Sequence, residues 1–178
     1  MQQEVLKFWF EDLQPSQWWT RDDALDTLIK QKFSAIHSRA VACELFTWRQ
    51  DPRGRLAEII ILDQFSRNMF RGTALSFAYD SLALVLAQEA IAAGADTHLT
   101  PLECSFLYLP FMHSESLTIH EIATDLYKKD GLESNYDFEL KHKIIIQQFG
   151  RYPHRNEILN RTSSAEEIEF LKQPDSLF

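Results

Sequence analysis

The chain has 178 residues, 45% of them apolar and 25% charged, with a formal net charge of −8. That length suits one domain, residues 1–178, able to bury roughly 70% of the surface its unfolded chain exposes, so no disulfide or metal staple is required. The acidic balance repels nucleic acid and anionic lipid at long range, so neither is an expected partner.

From the N-terminus, Met1-Gln2-Gln3-Glu4 lacks a basic leader, and the apolar run from Val5 to Phe10 is short and broken by Lys7. Such a run is neither a signal peptide nor a membrane span, and the expected compartment is the cytoplasm. Gln2 to Phe10 reads instead as a short aromatic helix. Asp22 to Glu44 carries apolar residues at three- and four-residue steps (Leu25, Leu28, Ile29, Phe33, Ile36, Ala40), the period of a helix with one buried face. Asp51-Pro52 opens a third helix, with Asp suited to the N-cap and Pro to the first turn. Its run Ile59-Ile60-Ile61-Leu62 points to every side, which predicts burial all round. Asp80 is expected to cap a helix over 81–93 that Gly94 ends. Thr100-Pro101 opens another, which Pro110 should end or kink. Helices over 117–130 and 136–149 follow, closed by Gly131 and Gly150, and Ser164-Ala165-Glu166-Glu167 has the form of a capping box. Cys43 and Cys104 both lie in apolar stretches and read as buried free thiols.

Five glycines and six prolines are too few for an all-β fold of this length. The fold class is all-α, with short connections that make antiparallel helical hairpins.

The usual chemical signatures are missing. No glycine spacing matches a dinucleotide or phosphate loop, so no cofactor is expected. His120-Glu121 begins a zinc-protease run, but Thr124 stands where the second histidine belongs. His113-Ser114-Glu115 has the spacing of zinc deaminases without their paired cysteines, and Glu139-x-x-His142 is half of a di-iron motif. No metal site is expected. No Gly-x-Ser-x-Gly or Cys–His arrangement supplies a nucleophile.

Three segments hold more polar groups than a core helix needs. The first runs from Leu62 to Gly72 and holds Asp63, Gln64, Arg67, Asn68 and Arg71. There Asp63 and Arg67 form an i,i+4 pair on a face that is apolar one turn earlier. The second leads from the apolar run at Phe106 into His113 and Glu115. The third, Phe149 to Asn156, concentrates Arg151, His154, Arg155 and Asn156. Each has a plainer reading: a buried ion pair, a helix cap, or donors to helix-end carbonyls. The functional reading is that the three converge on one polar pocket.

The stretches LDQFSRNMFRG, FLYLPFMHSE and FGRYPHRN resemble the signature blocks of the bacterial domain-of-unknown-function 924 family. Phe8-Trp9-Phe10, Trp18-Trp19, Trp48-Arg49 and Pro52-Arg53-Gly54-Arg55 are similar to it as well, so the resemblance covers nearly the whole chain. It implies a tetratricopeptide-like, right-handed helical array and no particular activity.

Two functions compete on this basis. One is a binding module for a small anionic molecule or a peptide or protein segment, since arginine forks and asparagine amides suit carboxylate and phosphate. The other is a metal-independent enzyme with His113 or His154 as acid–base near Asp63 or Glu115. The enzyme needs a histidine within hydrogen-bond reach of one of those carboxylates at an open cleft. The binding module needs only a concave surface with arginines facing it.

Overall fold

Start signals in the sequence become helix caps in a computed structural model that describes residues 1–174 and 176. Helix α1 (Gln2–Lys7) is followed by α2 (Asp23–Val41), whose cap is Asp22: its carboxylate accepts from the main-chain nitrogens of Ala24 and Leu25. Asp51 caps α3 (Pro52–Ile60) through Gly54 N, and α4 (Ser66–Met69) continues the same axis. Next come α5 (Asp80–Ala92) and α6 (Pro101–Met112), the latter opened by a reciprocal Thr100–Glu103 capping box. The chain ends with α7 (Leu117–Leu126), α8 (Glu133–Phe149) and α9 (Ala165–Phe170), where Ser164 and Glu167 form the expected capping box. Gly94, Gly131 and Gly150 lie at φ of 73°, 85° and 68°, the left-handed stops that a side chain would strain. The described residues contain no strand, as the scarcity of turn residues predicts.

Four expectations need adjustment. Asp80 does not cap α5: it is the first helical residue, and its carboxylate turns back to Arg67 and Arg155. Of the two effects expected of Pro110, an end or a kink, an end at that residue is not seen, because α6 runs two residues further to Met112. The helix expected over 117–130 ends at Leu126, and a turn completes the path to Gly131. Only Cys104 is a buried thiol; Cys43 is exposed, at a φ of 58° where α2 ends.

Between α3 and α4 the helix is π-wound over Ile61–Phe65. A π turn takes in one extra residue, shifts the faces that follow, and often marks a functional position. Asp63 lies inside it. The all-round burial predicted for this stretch is present, with Ile59, Ile60, Ile61, Leu62 and Phe65 each at most 1% exposed. Around them, α3 packs on α1, α5 and α6, and the π turn packs on α2 and α5. Phe8, Trp9, Phe33, Phe65 and Phe106 form the aromatic centre of this core, in edge-on and tilted contacts. A smaller cluster of Ile145, Ile146 and Tyr152 joins α8 to the turn after it. The run 74–92 has the length and hydropathy of a membrane-crossing helix. In this fold its Ala83, Leu86, Ala87 and Ala90 face the core.

Candidate functional site

Asp63 is carried by the π turn into the interior, where it is 1% exposed. Three donors make four contacts with its carboxylate and carbonyl oxygens. His113 Nδ1 lies 2.7 Å from Oδ1, Arg67 Nη1 3.0 Å from Oδ1, and Gln64 Nε2 2.6 Å from Oδ2. Arg67 Nη1 also donates to the Asp63 main-chain oxygen at 2.8 Å. Burial by itself would raise the Asp63 carboxyl, but Arg67 and then His113 outweigh it and hold the group well below the usual carboxylate range. Asp63 is therefore an anion.

Arg67 extends its other face to Asp80, with Nη1 and Nη2 at 3.1 and 3.0 Å from the two carboxylate oxygens. Asp80 Oδ2 also accepts from Arg155 Nη1 at 3.3 Å. The charges thus alternate along a line, Asp63, Arg67, Asp80, Arg155, and cancel over the four. Arg155 is buried between two rings, with its guanidinium carbon 4.6 Å from the centroids of both Phe77 and Tyr152, and its Nε has no partner.

Burial, and then the neighbouring Arg67, push the His113 imidazole below its ordinary value, against the opposing pull of Asp63. An anion beside a neutral imidazole fixes the tautomer: Nδ1 carries the proton and donates it to Asp63, leaving the Nε2 lone pair free. No described residue bonds Nε2, and the side chain keeps 15% of its surface in solvent, close to the 19% of Arg67 and 17% of Asp80. These three side chains keep more exposed surface than Asp63, Gln64 and Arg155, which are almost sealed.

The three polar segments do meet. Asp63 joins His113, Asp80 links Arg67 to Arg155, and Glu115 Oε1 accepts from Tyr152 N at 2.8 Å. Glu115 is further held by a two-pronged Arg161 contact of 2.6 and 2.9 Å. Burial would raise its carboxyl, but Arg161 and the Tyr152 main chain bring it below the usual range. His154 lies tilted against Tyr152 with ring centroids 5.5 Å apart; its Nδ1 is buried without a partner among the described residues, and it is pushed down to about 4 by burial and then by Arg155. Other members of the expected set lie apart. Asn68 and Arg71 both bond Asp26 of α2, Arg151 forks onto Glu167 of α9, and Asn156 bridges Arg161 and Ser163. Arg67 and Arg155 thus meet at Asp80, while Arg71 and Arg151 are drawn away by Asp26 and Glu167, acceptors that the segments themselves lack.

A profile of bacterial proteins of unknown function (DUF924) matches residues 5–175. The chain belongs to the DUF924 family. Its fold is similar to that of a solved protein of unknown function, ATU0120 from Agrobacterium tumefaciens, at a TM-score of 0.92 and 36% identity over 97% of each chain. No curated protein matches this DUF924 chain.

Sequence reasoning missed five contributors: Asp80, His120, Glu139, Tyr152 and Arg161. His120 and Glu139 bond each other in the interior, Nδ1 to Oε1 at 2.8 Å, and both are fully buried. Each begins one of the broken metal motifs, so both stand out in the sequence for a different reason. Asp80 is masked by its suitability as a cap. The usable signal is the excess of arginines over carboxylates in the polar segments, which requires an acidic partner elsewhere.

Proposed function

We propose that this protein performs acid–base chemistry with its own side chains, using His113 as proton acceptor on a small molecule that carries an anionic group. The observation that carries this reading is the 2.7 Å contact between His113 Nδ1 and the ionised, buried Asp63. It orients the ring and leaves Nε2 as a lone pair on the solvent side, the arrangement in which an imidazole works as a general base. An imidazole held below its ordinary value stays unprotonated at neutral pH and is ready to accept. Arg67 is the cation beside it with part of its surface open. A substrate carboxylate or phosphate would approach that side, in competition with Asp80. The plain binding module receives less support, because it leaves the oriented His113 without a use, whereas the carboxylate partners of Arg67, Arg71, Arg151 and Arg155 weigh equally on both readings.

A panel of small carboxylates and phosphate esters tests this without the substrate being identified first. Each compound is incubated with the protein in heavy water and followed by proton NMR. Wild type is expected to exchange or transform at least one compound, and His113→Gln to leave it unchanged. A folded wild type inert toward the whole panel, or a His113→Gln variant as active as wild type, contradicts the proposal.

A further inference from the structure

The main chain on both sides of His113 is held by one buried group of side chains. Tyr152 Oη donates to the Met112 carbonyl oxygen at 2.5 Å. His120 Nε2 lies 2.8 Å from the Ser114 carbonyl oxygen. A carbonyl oxygen only accepts, so His120 Nε2 carries a proton. Tyr152 has given its own proton to Met112 and therefore faces Nε2, 3.2 Å away, as an acceptor. His120 and Tyr152 thus hold each other as well as residues 112 and 114.

The other end of His120 meets Glu139, Nδ1 to Oε1 at 2.8 Å. Glu139 Oε2 is sealed and has no partner. An ionised carboxylate would leave a charged oxygen buried without a donor, which is far costlier than a neutral one. If Glu139 instead keeps its proton and donates it from Oε1 to the Nδ1 lone pair, only a neutral oxygen is left over. Every donor is then used, and His120 stays neutral with its proton on Nε2, aimed at Ser114. Burial also raises the Glu139 carboxyl, with His120 opposing.

We propose that Tyr152, His120 and Glu139 are positioning residues for His113: a neutral Glu139–His120 pair directs Nε2–H at Ser114, Tyr152 holds Met112, and together they fix the backbone that presents the His113 ring to Asp63. The functional meaning of this inference rests on the acid–base reading of His113, but its test does not. Ring-nitrogen NMR of 15N-labelled wild type reads His120 first. One protonated and one unprotonated nitrogen is expected, and two protonated nitrogens at neutral pH overturn the neutral pair. The His113 titration midpoint is then compared in Tyr152→Phe and in His120→Gln, whose amide nitrogen can replace Nε2 toward Ser114.

In Tyr152→Phe the midpoint is expected to rise toward the ordinary histidine value by about half a pH unit or more as the ring loosens from its buried seat. In His120→Gln it should move less. Ile29→Val, a conservative core substitution on α2 that removes none of these hydrogen bonds, should leave it in place although it also lowers stability. A His113 midpoint that is unmoved in folded Tyr152→Phe, or that moves as far in Ile29→Val, overturns the positioning role. Should Tyr152→Phe not fold, His120→Leu against His120→Gln gives the same comparison. Failure of the substrate panel with these shifts present would reject the catalytic reading alone.

Discussion

Two carboxylate–histidine pairs lie in the same half of the molecule with the same kind of contact, 2.7 Å for Asp63–His113 and 2.8 Å for Glu139–His120. Their surroundings make them different chemical objects. Asp63 has Arg67 beside it and Gln64 as a further donor, so it is held as an anion. Among the described residues Glu139 has no arginine or lysine within ion-pair distance and one oxygen without a partner, and burial drives its carboxyl up against the weaker opposing pull of His120 and Lys143. His113 keeps one nitrogen free on the solvent side, whereas His120 uses both and is fully buried. One arginine, and one opening to solvent, thus separate a pair suited to moving a proton from a pair suited to holding a loop.

The largest effect expected from breaking this contrast is at Asp63. Asp63→Ala leaves Arg67 short of a partner in the interior and should cost about 3–5 kcal/mol in urea unfolding. Because the two residues touch, Asp63→Ala with Arg67→Ala should cost clearly less than the sum of the single changes. Additive costs would contradict the coupling.

Acid should act next. His154 is held down to about 4 and His142 to about 3, each from an ordinary 6.5 and each chiefly by burial; His113 is lowered as well. The unfolded chain then binds more protons below pH 6.5. Their contribution to stability is complete above 6.5 and is lost as pH falls toward the folded values. Between pH 7 and 5 the loss should be roughly 3 kcal/mol, and His142→Gln or His154→Gln should flatten the slope. A stability unchanged over that interval would show that these imidazoles are not kept neutral by the fold.

Glu139→Gln should be milder, about 1 kcal/mol or less, because an amide replaces a neutral acid and can still donate to His120 Nδ1. A loss as large as that of Asp63→Ala would mean that Glu139 is ionised. The smallest effect belongs to Arg71→Ala. That exposed contact with Asp26 should change stability by a few tenths of a kcal/mol and leave the His113 titration untouched.

The helical frame is readable in the sequence where local chemistry decides it. Asp51, Thr100 and Ser164 cap as expected, and the left-handed Gly94 and Gly150 end the helices they follow. The Asp63–Arg67 pair is also legible, since four residues along a helix bring two side chains together. Choice among distant partners is not. Asp80 suits a cap as well as an arginine fork, and only the packing of α5 beside the π turn decides for the fork. The π turn itself leaves no composition signal in Ile61–Phe65. Arg71 and Arg151 look like site residues because arginines cluster in the chain. Their acceptors, Asp26 and Glu167, come from elements 45 and 16 residues away.

The central claim is that His113 is a neutral imidazole with its proton on Nδ1 and a free lone pair on Nε2. Long-range proton–nitrogen NMR of the 15N-labelled wild type, followed from pH 8 to pH 5, reads both nitrogens directly. The predicted result is a protonated Nδ1 and an unprotonated Nε2 that persists below the ordinary histidine midpoint of 6.5. An imidazolium at neutral pH, or a proton on Nε2 with Nδ1 bare, would contradict it.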